Sequence, residues 1–473
     1  MFLRGSGAAL KRQDDNMDIE GYAKRGLRKG DPDLLEKLTD HILEIKDISR
    51  ESAGKLAGAV IEEARVTLDV KDDVIASQPC GVTMGAFGVG SRGRGDFYAH
   101  RKIAEVIGKT NAVCDSSQMD DSGVVRAGGQ YVVVTVDGMH SRLSDFPFLA
   151  GFHCTRASLR DLYVMGAKPV ALFSDIHIAD DGDVSKIFDY TAGITTVSDL
   201  IGVPLVTGST LRIGGDMVIG DRMTGCVGAV GVAQDLTARI QSRPGDVIMV
   251  SEGAGGGTIS TTALYFGMHD VVEKTLNVKF LEACEALFEH GLIGRIHAMT
   301  DVTNGGIRGD AFEIAGTAGV KLVFHEEKLR KLVEPTVLEM LEKLKIDYLG
   351  VSLDALLIIA PPENAAAIMD AVRDKGVRID IVGEVKEGNG AYLIESRVER
   401  DFTPKFRESA YTPVKKVVGE ETPMSFEAMQ RKVDEAAINA IKKKERMVAR
   451  IRGREQNAPE HRHSKPSKLK SGP

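Results

Sequence analysis

The chain has few cysteines and no pattern among them. The five, Cys80, Cys114, Cys154, Cys226 and Cys284, are scattered along 473 residues with no Cys-x-x-Cys pair. Such spacing argues against a zinc site or a disulfide framework and suits a reducing cytoplasm. No apolar run approaches the roughly 18 residues of a membrane span, so none is expected. Residues 1–16 lack the apolar centre of a signal peptide, and the helical pattern begins only after Met17, a candidate for the true start. An overall basic character is also missing, since the net charge is −7. From Ile441 to Pro473 eleven Lys and Arg stand against three Glu, which leaves −15 on the remainder. An acidic body is a poor nucleic-acid binder, and the basic tail reads as a solvated segment. His461-x-His463 in that tail reads as incidental rather than as a metal site.

Glycine, by contrast, is plentiful at 51 residues. One cluster, Gly85-Ala-Phe-Gly-Val-Gly-Ser-Arg-Gly-Arg-Gly-Asp96, contains Gly88-x-Gly90-x-x-Gly93. A dinucleotide-binding turn needs a buried strand before such a motif and an acid about 20 residues on, at the next strand end. The preceding segment is broken by Pro79 and Gly81, and Asp115 lies in the polar run Cys114-Asp-Ser-Ser-Gln118. The motif therefore does not meet the Rossmann pattern. A phosphate cradle of another kind and a flexible linker remain.

Periodicity divides the chain into four parts. Residues 1–75 form a helical extension, with Leu34, Leu35, Leu38, Ile42 and Leu43 at helical spacing after Asp31-Pro32, and a second helix over Arg50 to Arg65. Residues 76–235 alternate strands and helices: strands at 131–136, 169–176, 204–206 and 225–232, and helices at 98–107, 150–165 and 184–201. Residues 236–400 repeat that alternation, with strands at 247–250, 320–324, 353–359 and 379–385 and helices near 258–268, 279–290 and 362–375. Residues 401–473 hold an amphipathic helix, 426–451, and the tail. Two α/β units of similar size predict two domains. The strands 131–136 and 225–232 are too apolar to stand as bare sheet edges, which predicts pairing of two copies through residues 76–235.

Carboxylates gather at the ends of the first unit's strands. Met119-Asp-Asp-Ser-Gly123 precedes one strand, Thr135-Val-Asp-Gly138 ends the next, and Asp161 lies near a helix end before Gly166-Ala167. Singly, such acids are turn formers or caps. Converging beside a glycine-rich loop, they suit a hard cation and its phosphates.

The series Asp120-Asp-Ser-Gly-Val-Val125, Thr135-Val-Asp-Gly138 and Arg160-Asp-Leu-Tyr-Val-Met-Gly-Ala-Lys-Pro169 resembles the PurM-like superfamily. Thr300-Asp-Val-Thr-Asn-Gly-Gly306, Leu349-Gly-Val-Ser-Leu-Asp354 and Ile381-Val-Gly-Glu-Val385 continue the resemblance, which covers about residues 80–395. It includes aminoimidazole ribonucleotide synthetase, selenophosphate synthetase, thiamine-monophosphate kinase and the hydrogenase maturation factor HypE. The resemblance implies two PurM-like α/β (α+β) domains, the first binding ATP and pairing with its twin, the second acting as a lid. It implies phosphoryl transfer from ATP with Mg²⁺, to a small-molecule or protein-terminus acceptor. Asp120, Asp121, Asp137 and Asp161 would serve the metal and its phosphates, and Gly88, Gly90 and Gly93 would cover the triphosphate. Asp301, Asn304, Gly305 and Gly306 would face the nucleotide or acceptor.

Two departures stand out. No cysteine follows Cys284, whereas HypE works through a cysteine-bearing tail, and Cys80-Gly81 only faintly echoes the reactive cysteine of selenophosphate synthetase. Thr207-Gly-Ser-Thr210 carries Ser209 where most members carry a metal-binding acid. Asp216 is the nearest substitute if the Gly214-Gly215 turn folds back, and otherwise an ordinary turn residue. A nucleotide-binding maturation or assembly factor without turnover is the alternative to an enzyme.

Overall fold

The computed structural model describes residues 18–68, 70, 74–76, 79–90, 93–213, 220–405, 410–417 and 424–456. Asp216, His461 and His463 lie outside them.

Three helices, Ile19–Lys29, Leu34–Ile45 and Arg50–Thr67, close on a core of their own that includes Ile19, Leu38, Ile42, Val60 and Ile61. The Asp18 side chain accepts from Glu20 N–H at the start of the first, and Gly30 ends it at φ 64°. Those are the capping geometries that Asp and Gly favour. An ion pair from Lys46 to Asp181 ties this bundle to the next domain.

The first domain is a five-stranded sheet of β1 (Gly123–Ala127), β2 (Gln130–Gly138), β3 (Lys168–Ala179), β4 (Leu205–Ile213) and β5 (Met223–Ala233), ordered β1-β2-β5-β3-β4. Only β3 and β4 pair in parallel, so the sheet has no doubly wound Rossmann topology. Strands β2 and β5 lie inside the sheet, contrary to the edge argument made from sequence. Their apolar excess belongs instead to one sheet face. Helices Pro147–Val164 and Ser185–Ile201 cover the other face. These two cross at backbone contact, because a Cβ on Gly151 would stand 2.1 Å from the Tyr190 carbonyl and one on Gly193 2.1 Å from that of Phe148. On the open face Val125 pairs with Val132, and Val134 and Val136 follow along β2 at 41% and 61% exposure.

The second domain holds seven strands: β6 (Val247–Ser251), β7 (Ala298–Asp301), β8 (Lys321–His325), β9 (Leu356–Ala360), β10 (Ile379–Lys386), β11 (Gly390–Glu395) and β12 (Val398–Asp401). Their order is β12-β11-β8-β10-β6-β9-β7. Helices pack on both faces. Lys279–Glu289 and Pro362–Asp374 join a core that runs on into the first domain, and Gly257–Tyr265, Gly306–Ala318 and Pro335–Lys343 build a second. Finally the helix Phe426–Gln456 returns along the helix Arg94–Ile107. No helix among the described residues is long and apolar enough to cross a membrane.

Candidate active site

A cavity of about 470 Å³ opens between the two domains, within the range of small-ligand sites. One stripe of the helix Pro147–Val164 forms its floor. His153, Ala157 and Arg160 recur at spacings of four and three, with Cys154 and Asp161 beside them, as a helix places residues on a single face. Ala157 leaves the room that a larger side chain would fill. Asp137 reaches the same space from the end of β2. It shares the helix-facing side with its cross-strand partner Val227, which is fully buried.

Asp161 accepts a hydrogen bond from Thr135 Oγ1 at 2.7 Å. Burial pushes its carboxyl well above the usual range, and the charges of Asp301, Asp137 and Asp121 push the same way. The acid pair Asp120 and Asp121, before β1, is held by Arg239. Its backbone N–H donates to Asp120 Oδ2 at 3.0 Å, and its guanidinium pairs with Asp121. The same guanidinium donates to Glu313 at 2.8 Å and to Thr300 at 2.7 Å from the second domain. Burial raises the Asp120 carboxyl to about 6, Arg239 opposing and Asp121 adding to the shift. A metal at Asp120 or Asp121 would compete with that arginine.

Asp301, at the end of β7, accepts from Arg160 Nε at 3.0 Å, and Arg160 also pairs with Asp354. Burial alone would raise Asp354, but Arg160 and Arg156 outweigh it and hold the carboxyl below its usual range. Burial lowers His140 to about 4 and His153 to about 3, so both imidazoles are neutral near pH 7. Asn304 lines the cavity and accepts from Thr258 Oγ1 at 3.0 Å. Gly305 and Gly306 do not line it. They make the turn into the helix Gly306–Ala318 at φ 84° and 62°, where a Cβ on Gly306 would meet the Leu349 carbonyl at 2.4 Å.

Gly88, Gly90 and Gly93 also lie outside the cavity lining. Gly88 ends the short helix Met84–Phe87, Gly90 N–H donates to Asp96 Oδ1 at 2.8 Å, and Gly93 opens the helix Arg94–Ile107. That helix reaches the cavity through His100 and Ile103. Ser209 sits on the edge strand β4, in register with Asp175, on the sheet face opposite Asp137. Asp175 in turn contacts His177 Nε2 at 2.8 Å.

Sequence reasoning missed Arg160 and Arg239, whose side-chain partners are distant in the chain, 61 residues away for Thr300 with Arg239 and 141 for Asp301 with Arg160. It also missed Glu252-Gly-Ala-Gly-Gly-Gly-Thr258, whose last residues line the cavity where the helix Gly257–Tyr265 begins. A glycine run directly before a helix was the signal available, since such helix starts favour anions.

Residues 119–233 match the AIR synthase related protein, N-terminal domain, and residues 243–395 match the C-terminal domain of the same family. An uncharacterised protein of Methanocaldococcus jannaschii is 53% identical over 452 residues, 93% of this chain and 99% of that protein. A thiamine-monophosphate kinase of Pyrococcus horikoshii is 26% identical over 291 residues, 59% of this chain and 87% of the kinase. Among solved structures, the HypE–HypF complex contains a chain of like fold, with a TM-score of 0.53 and 19% identity, covering 64% of this chain and 99% of that one. Through both of its domains, the chain belongs to the AIR synthase related protein family.

Proposed function

We propose that this protein binds Mg²⁺–ATP in the cleft and transfers a phosphoryl group to a small-molecule or protein-terminus acceptor, as a cytoplasmic homodimer. The observation that carries the reading is Asp161, with the charges of Asp137 and Asp301 acting on it, in a cavity that the start of the helix Gly257–Tyr265 also lines. The carboxylate of Asp161 is penalised by burial and by like charge, a penalty that a bound cation removes. An all-oxygen donor set suits Mg²⁺. Among the described residues no three acids, histidines or cysteines converge as a finished metal site. Mg²⁺ commonly completes its shell with waters and phosphate oxygens, which fits such an arrangement. When bound, the metal would neutralise charge on the transferring phosphate. Asp137 and Asp161 would hold it, Gly257 and Thr258 would receive phosphate oxygens at the helix start, and the neutral His140 and His153 would help exclude water. The kinase named among the relatives supports the reaction class. The open valine face of the first sheet supports the dimer.

Titration calorimetry with ATP, with and without Mg²⁺, tests the reading, followed by ADP release in the presence of candidate metabolite pools. Absence of nucleotide binding at every Mg²⁺ concentration would sink it. The helical N-terminal extension and the helix Phe426–Gln456, both outside the family-matched regions, support a second reading: a nucleotide-binding maturation or assembly factor without turnover. Tight ATP binding with no ADP release, plus a partner lost on deleting 424–473, would select that one.

A further inference from the structure

One wall of the cavity comes from outside both family-matched regions. The helix Arg94–Ile107 precedes the first of them and contributes His100 and Ile103 to the lining. It has its own fastening. Phe426, at the head of the helix Phe426–Gln456, stacks on Phe87 at 5.6 Å and meets Tyr98 edge-on at 6.3 Å. Tyr98 donates to Asp434 Oδ1 at 2.5 Å, and Lys102 Nζ lies 3.0 Å from the same oxygen. Nearly three turns past Asp434 on the same helix, Lys444 donates to the Val106 and Ile107 carbonyls, which ends the wall helix on a cation. Lys443 donates to the Ala76 carbonyl at 2.8 Å.

Tyr98 and Lys102 are four residues apart and so share one face of the wall helix, turned to Asp434. His100 and Ile103 lie on the side that meets the cavity. On its far flank Phe97 stacks on Phe312 of the second domain at 5.6 Å. The wall is thus gripped from two sides, and its inner residues take their places from that grip.

We infer that Asp434 is a positioning residue for the ligand site: it fixes the helix Arg94–Ile107 through Tyr98 and Lys102, and thereby sets where His100 and Ile103 meet the bound molecule. The ligand class rests on the proposed Mg²⁺–ATP reading; the grip itself does not.

The test uses the full-length protein, its Asp434→Ala, Asp434→Glu and His100→Ala variants, and the double variant of His100→Ala with Asp434→Ala. Mg²⁺–ATP is the probe. Asp434→Ala should raise Kd by about 3- to 10-fold, the scale of a partly exposed charge-assisted contact. Asp434→Glu should recover most of the affinity. In the His100→Ala background the Asp434→Ala change should add less than its separate effect, because the two act through one element. Hydrogen exchange of residues 94–107 in nucleotide-free protein should quicken in Asp434→Ala at unchanged protection of the two sheets. Unaltered exchange there, or fully additive losses of affinity, overturns the inference. If the wild-type protein binds no Mg²⁺–ATP, the proposed function fails, and the exchange arm decides the grip alone.

Discussion

Arg160 offers the sharpest test of how the two domains are joined. It is 4% exposed, with Nε 3.0 Å from Asp301 and an ion pair to Asp354, which Arg156 reaches at 3.4 Å. Arg160→Met keeps much of the volume but takes the shared cation from two buried carboxylates. Breaking a buried pair from one side costs about 3–5 kcal/mol. At about 2–4 °C per kcal/mol for domains of 150–250 residues, Tm should fall by roughly 6–20 °C. The loss should also depend on pH. In the wild type Asp354 is held below its usual range, so it contributes stability above about pH 4 that is lost on acidification. Without Arg160, burial gains on the remaining cation and the folded carboxyl rises. A carboxyl raised on folding keeps its proton in the native state, so stability then falls as pH rises above about 4. Thermal and urea unfolding at pH 5 and pH 8 read both effects, with the larger deficit at pH 8. Arg160→Lys, which keeps charge without the planar fork, should fall between. A Tm within about 2 °C of wild type at pH 8, or equal deficits at both pH values, refutes the reasoning.

Asp161→Asn should raise the melting temperature of ligand-free protein at pH 8, since it removes a carboxylate that burial and its neighbours disfavour while Thr135 keeps an acceptor; a lower Tm would contradict this. Asp137→Asn should abolish Mg²⁺–ATP binding and Ser209→Ala should cost little, measured by calorimetry; intact affinity and Mg²⁺ dependence in Asp137→Asn would overturn the assignment of the metal shell. Val136→Glu, on the open face of the first sheet, should shift the mass in solution from dimer to monomer. A wild-type protein that is monomeric at micromolar concentration would remove the homodimer.

Elements with a strong apolar period were legible in the sequence. The helix read over 150–165 is Pro147–Val164, and the strand read over 379–385 is Ile379–Lys386. Strand β4, read as three residues, runs nine, because an edge strand exposed along Val206–Arg212 shows no apolar alternation. The hairpin β11–β12 and the helices between 326 and 343 went unread, and the opening helix Ile19–Lys29, where buried residues are sparse, was read only as part of a helical segment without bounds of its own. Within the site, Asp137 and Asp161 were found because acids at element ends stand out against an apolar background. Arg160 and Arg239, which hold Asp301, Asp354, Asp120 and Asp121, were not, because single arginines carry no spacing signature and their partners arrive only with the tertiary fold.

The seam at Arg239 bears on how quickly anything bound inside exchanges with solvent. This residue, 1% exposed, bonds at once to the loop before β1 and to Thr300 and Glu313 across the cleft. The resemblance implied a second domain that swings as a lid, but such a swing would strip a guanidinium of its partners while it is still out of reach of water, at several kcal/mol. The alternative is to leave both domains fixed and lift the wall helix, whose polar fastening at Asp434 and Lys444 is partly solvated. Residence time would then follow the strength of a fastening at the chain's far end. Two structures, one empty and one filled, should superimpose as a single rigid body everywhere except residues 84–107 and the helix laid across them.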